Sequence, residues 1–200
     1  MASKISICNL ALSNIGKDNI TALTDAGAEA KACNQFYDHA RDTLLQAFPW
    51  SFAGKTQALA EITNDKPGQW GFAYQRPTDC LKVRWVRQQY SATDNCRLTP
   101  QQEISFPHEV EGQAIYCDLP TAFLRYTFKL DDPSRYSPLF VDALSWHLAV
   151  RLAMPLTRDP KIRADAYQLA LAMTGTAQMS DANEEQHSSD IESEFVEVRD

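Results

Sequence analysis

The sequence lacks the short motifs that mark the common catalytic and phosphate-binding sites. Its 200 residues contain no glycine-rich phosphate loop, no G-x-S-x-G nucleophile motif and no H-E-x-x-H zinc motif. His108-Glu109 in FPHEVEG lacks the second histidine, so we interpret it as a polar pair in a loop or at a strand edge. No catalytic residue is assigned by a motif.

The cysteines are too scattered for a disulfide framework or a zinc site. Their number is odd, and no C-x-x-C pair occurs. This pattern is typical of reduced, buried thiols in a cytoplasmic setting, so we expect neither a metal nor another cofactor. The five positions are Cys8, Cys33, Cys80, Cys96 and Cys117.

Long apolar runs are also absent. No stretch of about 18 apolar residues occurs, so we expect no membrane-spanning helix and no membrane partner. The N-terminus, MASKISICNLALSNIG, has neither a clean apolar stretch nor a small-residue cleavage site. We therefore expect no signal peptide, and synthesis in the cytoplasm.

A basic excess, the usual mark of a nucleic-acid-binding surface, is missing as well. The net charge is −7, and the last twenty residues contain eight acidic residues and one arginine. Residues 1–180 therefore balance to zero, and the whole acidic excess belongs to the C-terminal segment. This distribution disfavours a specific nucleic-acid binder, although a folded surface can still concentrate basic residues.

Apolar residues at helical spacing predict two helices near the start of the chain and two in its last third. Ser3 is the expected cap of the first helix, Asp25 or the residue before it opens the second, and Pro49 ends the second. We expect the four helices at about residues 4–15, 25–48, 138–155 and from 160 onwards.

Between the two pairs of helices the pattern changes to the alternation that is typical of half-buried strands. The alternating segments are residues 70–74, 80–87, 113–119 and 122–130. We predict a mainly α fold, a helical bundle with an inserted small antiparallel β region (α+β). The expected parts are a bundle of residues 1–53 and 131–179, a β-rich insertion of residues 54–130, and a flexible acidic C-terminal arm of residues 180–200.

Three aromatic residues follow each other closely where the second helix ends. Phe48, Trp50 and Phe52 surround Pro49 in the stretch FPWSFA. We interpret them as a hydrophobic corner that packs the helix against the β region, and the alternative is a docking surface. Burial of such a ring stabilises the fold by roughly 1.5–3 kcal/mol.

Candidate titratable groups have structural interpretations that are simpler than catalytic ones. His147 lies on an apolar helix stripe, which favours a hydrogen-bonded core histidine over a base or metal ligand. Asp38 and Asp42 are one helical turn apart, which fits a solvated face or a subunit contact. Paired carboxylates for glycoside cleavage stay an alternative, but the chain has too many acids for any pair to stand out.

Four stretches, taken in their order and spacing, resemble a known family. They are NLALSNIG near the start, ARDTLLQAFPWSFA, YQRPTDCLKV, and SPLFVDALSWHLAVRLAMPLT followed by a helix through Tyr167. Together they are similar to the head-to-tail adaptor, or tail tubular protein A, family of short-tailed bacteriophages. The resemblance covers about residues 5–178.

The resemblance implies a structural virion protein and no enzyme. Members of that family form a ring, usually dodecameric, which lies at the portal vertex and joins the portal protein to the tail nozzle, a tubular protein B-like partner. Genomic DNA passes through the ring without specific binding. Two other hypotheses stay open: a tail accessory enzyme that degrades the cell wall, and a soluble nucleic-acid-binding module.

Two groups of residues are the candidate contacts of such a ring. Aromatic and arginine side chains are enriched in interface cores, so the subunit interface is expected at Trp70, Tyr74, Arg84, Trp85 and Arg87, for which core packing is the alternative. A purely solvating arm would not need large apolar residues. We therefore expect the arm to dock on the portal or a neighbouring copy through Ile191, Phe195 and Val198.

Overall fold

The protein has an α+β fold, described by a computed structural model over residues 2–88 and 105–184. Within those ranges it contains four helices and two antiparallel sheets. The helices are α1 (Lys4–Asn14), α2 (Ala28–Ala47), α3 (Pro138–Thr157) and α4 (Pro160–Glu184). The strands are β1 (Gly54–Ala58), β2 (Glu61–Ile62), β3 (Phe72–Gln75), β4 (Cys80–Gln88), β5 (His108–Glu111), β6 (Ala114–Cys117) and β7 (Ala122–Phe128).

The prediction of a mainly α bundle was wrong. Helical residues, short 3-10 turns included, make up 49% of the described chain, and strand residues make up 21%. The β region contains more strands than expected because β1, β2 and β5 are short polar segments, GKTQA, EI and HEVE, that show no apolar alternation. They form strands because neighbouring strands bind their backbone groups.

Local signals explain where the helices begin and end. In α1 the Ser3 hydroxyl accepts a hydrogen bond from the Ser6 amide at 3.0 Å, and the Ser6 hydroxyl accepts one from the Ser3 amide at 2.8 Å. The expected start of α2 was wrong by about three residues. Asp25 accepts hydrogen bonds from the amides of Thr21 and Ala22, so it closes the preceding loop instead of capping the helix.

The strands of the β region form two sheets. The three-stranded sheet has the order β1-β7-β4, and the four-stranded sheet has the order β2-β3-β6-β5. The consecutive strands β6 and β7 therefore belong to different sheets. The two sheets share a core that includes Tyr74, Val86, Ile115 and Leu124.

A second, larger core lies among the helices. Its centre is α3, which packs against α1, α2 and α4. By length and composition alone α3 could cross a membrane, but 44% of its most apolar 18-residue stretch is buried inside the protein. Phe140, Leu144, Leu148 and Leu152 are fully buried on it, so we interpret α3 as the core helix of the domain.

The aromatic corner after α2 is confirmed. Trp50 is 1% exposed, its indole nitrogen donates to the Leu44 carbonyl at 2.9 Å, and its ring meets the Phe140 ring edge-on at 4.9 Å. The Arg84 guanidinium donates to the Phe48 carbonyl at 2.6 Å. The corner therefore joins α2, α3 and the β region.

The last helix also reaches this corner. The buried Asp181 carboxylate accepts hydrogen bonds from the Ser51 amide at 2.9 Å and the Ser51 hydroxyl at 2.7 Å. The expected start of the acidic arm at residue 180 thus falls inside α4, which continues to Glu184. The expected arm contacts Ile191, Phe195 and Val198 lie outside the described residues.

Candidate functional site

The most unusual surface of the protein is the exposed side of α4. The fully buried apolar residues of this 25-residue helix are alanines, Ala166, Ala170 and Ala177, which let it approach α3 closely, and Ile162 and Met173 pack partly buried against the helical core. Large apolar side chains face outwards instead: Tyr167 is 50% exposed, and Leu171 is 49% exposed. Leu169 and Met179 are exposed as well.

Three of the exposed apolar residues share one flank of the helix. Ala164, Tyr167 and Leu171 are spaced at i, i+3 and i+7, so their side chains lie above one another along α4. We call these three residues the α4 flank. Contiguous apolar surface of this kind marks a protein contact more often than isolated exposed leucines do.

A groove of about 840 Å³ adjoins the α4 flank. It lies between α2, the C-terminal half of α3 and the first two turns of α4. Its apolar walls include Phe36 from α2, Val150 and Met154 from α3, and Tyr167 from α4. The groove is open to solvent, and its size is in the range of sites that accept a peptide side chain or a small ligand.

The polar lining of the groove is basic. Arg151 and Arg163 both contribute to it, and no acidic side chain does so within the described ranges. Neither arginine forms an ion pair with any residue in the part of the chain that the structure covers. The Nε atom of Arg151 is buried and has no hydrogen-bond partner among those residues. The groove is therefore suited to an anionic group next to an apolar one.

His147 contributes a third nitrogen-bearing side chain to this groove. Its Nε2 lies 2.8 Å from the Thr174 hydroxyl, which itself donates to the Ala170 carbonyl at 2.7 Å. The tautomer that fits both contacts has the hydrogen on Nε2, which donates to the Thr174 hydroxyl while that hydroxyl donates to Ala170. Burial and the nearby Arg151 charge lower the pKa of His147. The hydrogen bond expected for His147 from the sequence is confirmed, but the ring is half-buried and borders the groove instead of lying in the core.

Three of the expected interface residues are held by contacts within the chain. Tyr74 is 2% exposed, and its hydroxyl donates to the Leu119 carbonyl at 2.6 Å, so it belongs to the sheet core. The Trp70 indole nitrogen donates to Glu109 at 2.8 Å. Besides its contact with Phe48, Arg84 donates to the Thr127 hydroxyl at 2.7 Å. All three therefore use polar atoms in contacts within the chain.

The other two expected interface residues form a half-exposed pair on β4. The Arg87 guanidinium lies 3.9 Å from the centre of the Trp85 ring, a cation–π stack. The pair is separate from Trp70 and Tyr74, which belong to the four-stranded side of the β region. The five residues are therefore divided between the two sheets, and Tyr74 is buried in the core that the sheets share.

The polar cluster on α2 has a structural role. Arg41 is 3% exposed and forms ion pairs with Asp38 at 3.2 Å, Asp42 at 2.7 Å and Asp131 at 2.8 Å. Lys4 binds the same Asp38 at 3.0 Å. These contacts join α1, α2 and the segment after β7, so the two aspartates compensate a buried cation instead of flanking a reaction centre.

Neither a metal site nor a family assignment emerges. In the described residues, no three His, Cys, Asp or Glu side chains are grouped so that they could hold a metal ion. No family model matches the chain, and no curated protein matches it. The candidate site is therefore defined by geometry: the apolar α4 flank and the basic groove beside it.

Proposed function

We propose that this chain is a structural head-to-tail adaptor, which forms a ring with other copies and joins a phage portal to the tail nozzle. The exposed α4 flank is the observation that carries the proposal. This 25-residue helix packs alanines, Ile162 and Met173 against the rest of the protein and leaves Tyr167 and Leu171 about half exposed. Such a surface is stabilised when another protein covers it.

A closed ring needs two different surfaces on each copy, because every subunit meets one neighbour with one face and the next with another. The α4 flank supplies one such face. The stacked pair Trp85 and Arg87 on β4 supplies a second, and tryptophan and arginine are the residue types that dominate interface energies. In the proposed ring, these two surfaces belong to different subunit contacts.

The charge distribution fits a conduit through which DNA slides. Residues 1–180 carry no net charge, so the folded part lacks the overall attraction that holds DNA on basic proteins. A channel that gripped the phosphate backbone would slow the passage of the genome. A neutral wall is compatible with transport.

The decisive experiment is mass measurement by light scattering, for this chain alone and mixed with the portal protein from the same genome. The expected result is a large complex that holds about twelve copies of the chain per portal. Absence of any complex, with both proteins folded, overturns the proposal. In that case digestion of peptidoglycan by the purified chain tests the cell-wall enzyme hypothesis directly.

Two variants locate the contact. Leu171→Asp places a charge in the α4 flank and should weaken assembly at least about tenfold, because interface cores tolerate charges poorly. Thr176→Asp places the same charge on an exposed position at the other side of α4 and should leave assembly unchanged. Equal behaviour of the two variants would remove α4 from the proposed interface.

A further inference from the structure

We propose that the groove between α2, α3 and α4 binds the chain's own acidic segment, residues 191–198, in the free protein. The groove needs an occupant that combines negative charge with apolar side chains. This segment, IESEFVEV, has that composition and lies outside the described residues. The proposal concerns binding within one molecule, before any assembly.

Charge complementarity is the first argument. The groove contains Arg151 and Arg163, which have no ion-pair partner in the described chain. Residues 185–200 contain six acidic residues and one arginine. Carboxylates brought to these two guanidinium groups gain charge-assisted hydrogen bonds, including a partner for the buried Arg151 Nε.

The apolar pattern of the segment is the second argument. Ile191, Phe195 and Val198 are spaced at i, i+4 and i+7, with Glu192, Glu194 and Glu197 between them. This spacing is typical of peptides that place one apolar face into a groove between helices. Phe36, Val150, Met154 and Tyr167 provide the matching apolar walls.

Chain length permits the contact within one molecule. From Glu184 at the end of α4 back to Tyr167 at the groove, the helix spans roughly 26 Å at 1.5 Å per residue. With Glu184 to Ile191 extended and Ile191 to Phe195 helical, the chain between Glu184 and Phe195 spans roughly 29–31 Å. The segment therefore reaches the groove by running back along α4, and this path crosses Leu171.

A consequence for assembly, which rests on the proposed function, follows from that path. A segment lying along α4 covers Leu171 and Tyr167, the same residues that are proposed to contact a neighbouring copy. Intramolecular binding competes with premature ring formation, because the tether gives the segment an effective concentration in the millimolar range. Release of the segment then exposes the α4 flank when the portal is present.

Disulfide trapping in the full chain tests the proposal. Cys96 is first replaced by serine; the cysteines of the described chain, Cys8, Cys33, Cys80 and Cys117, are buried. Val196→Cys is then combined with Ala164→Cys, at the groove, or with Ala172→Cys as the control. Both alanines are exposed on α4, but Ala172 lies outside the α4 flank and closer along the chain to the segment. Oxidation is followed by mass under denaturing conditions.

The expected result is a cross-link within monomers for the pair with Ala164→Cys, formed at least tenfold faster than for the control pair. Arg151→Gln together with Arg163→Gln, or high salt, should reduce this rate several-fold, with folding checked by circular dichroism. Equal rates for the two pairs overturn the proposal. Cross-linked dimers without cross-linked monomers also overturn it, because the segment then serves a neighbouring copy.

This test needs no portal protein and no ring. Its failure would leave the adaptor proposal standing, and failure of the portal-binding experiment would leave a trapped intramolecular contact standing. The two inferences are therefore separable by experiment.

Discussion

Single residues at the aromatic corner are more important for the fold than their positions in a loop suggest. Trp50 sits in a turn, yet it is almost fully buried and contacts Phe48, Phe52 and Phe140. Its indole hydrogen bond to Leu44 closes the end of α2. The corner combines aromatic packing with satisfied polar groups, which makes truncation costly.

We predict that Trp50→Ala lowers the free energy of unfolding by about 3–5 kcal/mol, because it leaves a large cavity next to Phe140. Urea unfolding followed by circular dichroism measures the change. Trp85→Ala, at a half-exposed tryptophan, is the control and should cost clearly less. Unchanged stability of Trp50→Ala with loss of portal binding would mean that the corner is a docking surface instead.

His147 makes stability depend on pH in a defined direction. Its pKa is lowered from the ordinary 6.5 by burial and by Arg151, so the unfolded chain binds the proton at a higher pH than the folded protein does. Stability is fully present above about pH 6.5 and falls as the pH drops towards the folded pKa. Stability is lost because protonation of His147 is less favourable in the folded protein than in the unfolded chain.

The corresponding variant is His147→Gln, which cannot take up this proton. We predict that its free energy of unfolding changes less between pH 6.5 and pH 5 than that of the native chain, measured by urea unfolding at several pH values. A native slope in His147→Gln would show that another group causes the pH dependence.

At the scale of elements, β4 shows how one irregularity changes which side chains are buried. The alternation of its sequence places Val83 and Trp85 on one face, and the pairing with β7 has a register shift between them. After the shift Val86 is fully buried, and Trp85 is only half-buried. The shift lies at Arg84, whose side chain binds the corner carbonyl of Phe48.

The alanine stripe of α4 determines how closely this helix approaches α3. Ala170 is 0% exposed, whereas Ala172, two residues later, is exposed. We predict that Ala170→Leu destabilises the protein by about 1–3 kcal/mol through overpacking, and that Ala172→Leu changes stability by less than about 0.5 kcal/mol. Thermal unfolding compares the two; equal effects would contradict the packing of α4 on α3.

At the scale of the whole molecule, two cores are joined by a small number of contacts. The helical core and the sheet core meet at Phe128, which packs against both. The corner at Trp50 and the Arg84 contact connect them further. Specific contacts therefore hold the β region to the helices. The apolar pattern of the helices does not by itself predict these contacts.

Net charge gives a prediction for the molecule as a whole. Residues 1–180 have no net charge, and the acidic excess of the chain belongs to its last twenty residues. We therefore expect no measurable binding to a labelled DNA duplex at low salt, measured by fluorescence anisotropy. Removing the negative charges of Glu192, Glu194 and Glu197 by substitution with glutamine should produce little or no binding either. Affinity of the native chain that falls with salt would favour the nucleic-acid-binding hypothesis.

The four helices and the aromatic corner could be predicted from the sequence, because both depend on local signals. Ser3 caps α1, Pro49 ends α2, and three aromatic residues next to a proline have few alternatives to burial. Helical spacing also identified the buried face of α3. These features depend on residues within one or two turns of each other, so they can be read without knowing the rest of the fold.

The division into two sheets, the side of β4 that is buried and the groove could not be predicted, because they depend on tertiary contacts. Polar segments such as GKTQA become strands because β7 provides hydrogen-bond partners. Phe36, Arg151 and Tyr167 lie on three different helices and come together only when these helices pack. No spacing in the sequence therefore predicts the groove that they line. Contacts between residues distant in sequence depend on the final arrangement of all elements, and that arrangement defines the candidate site.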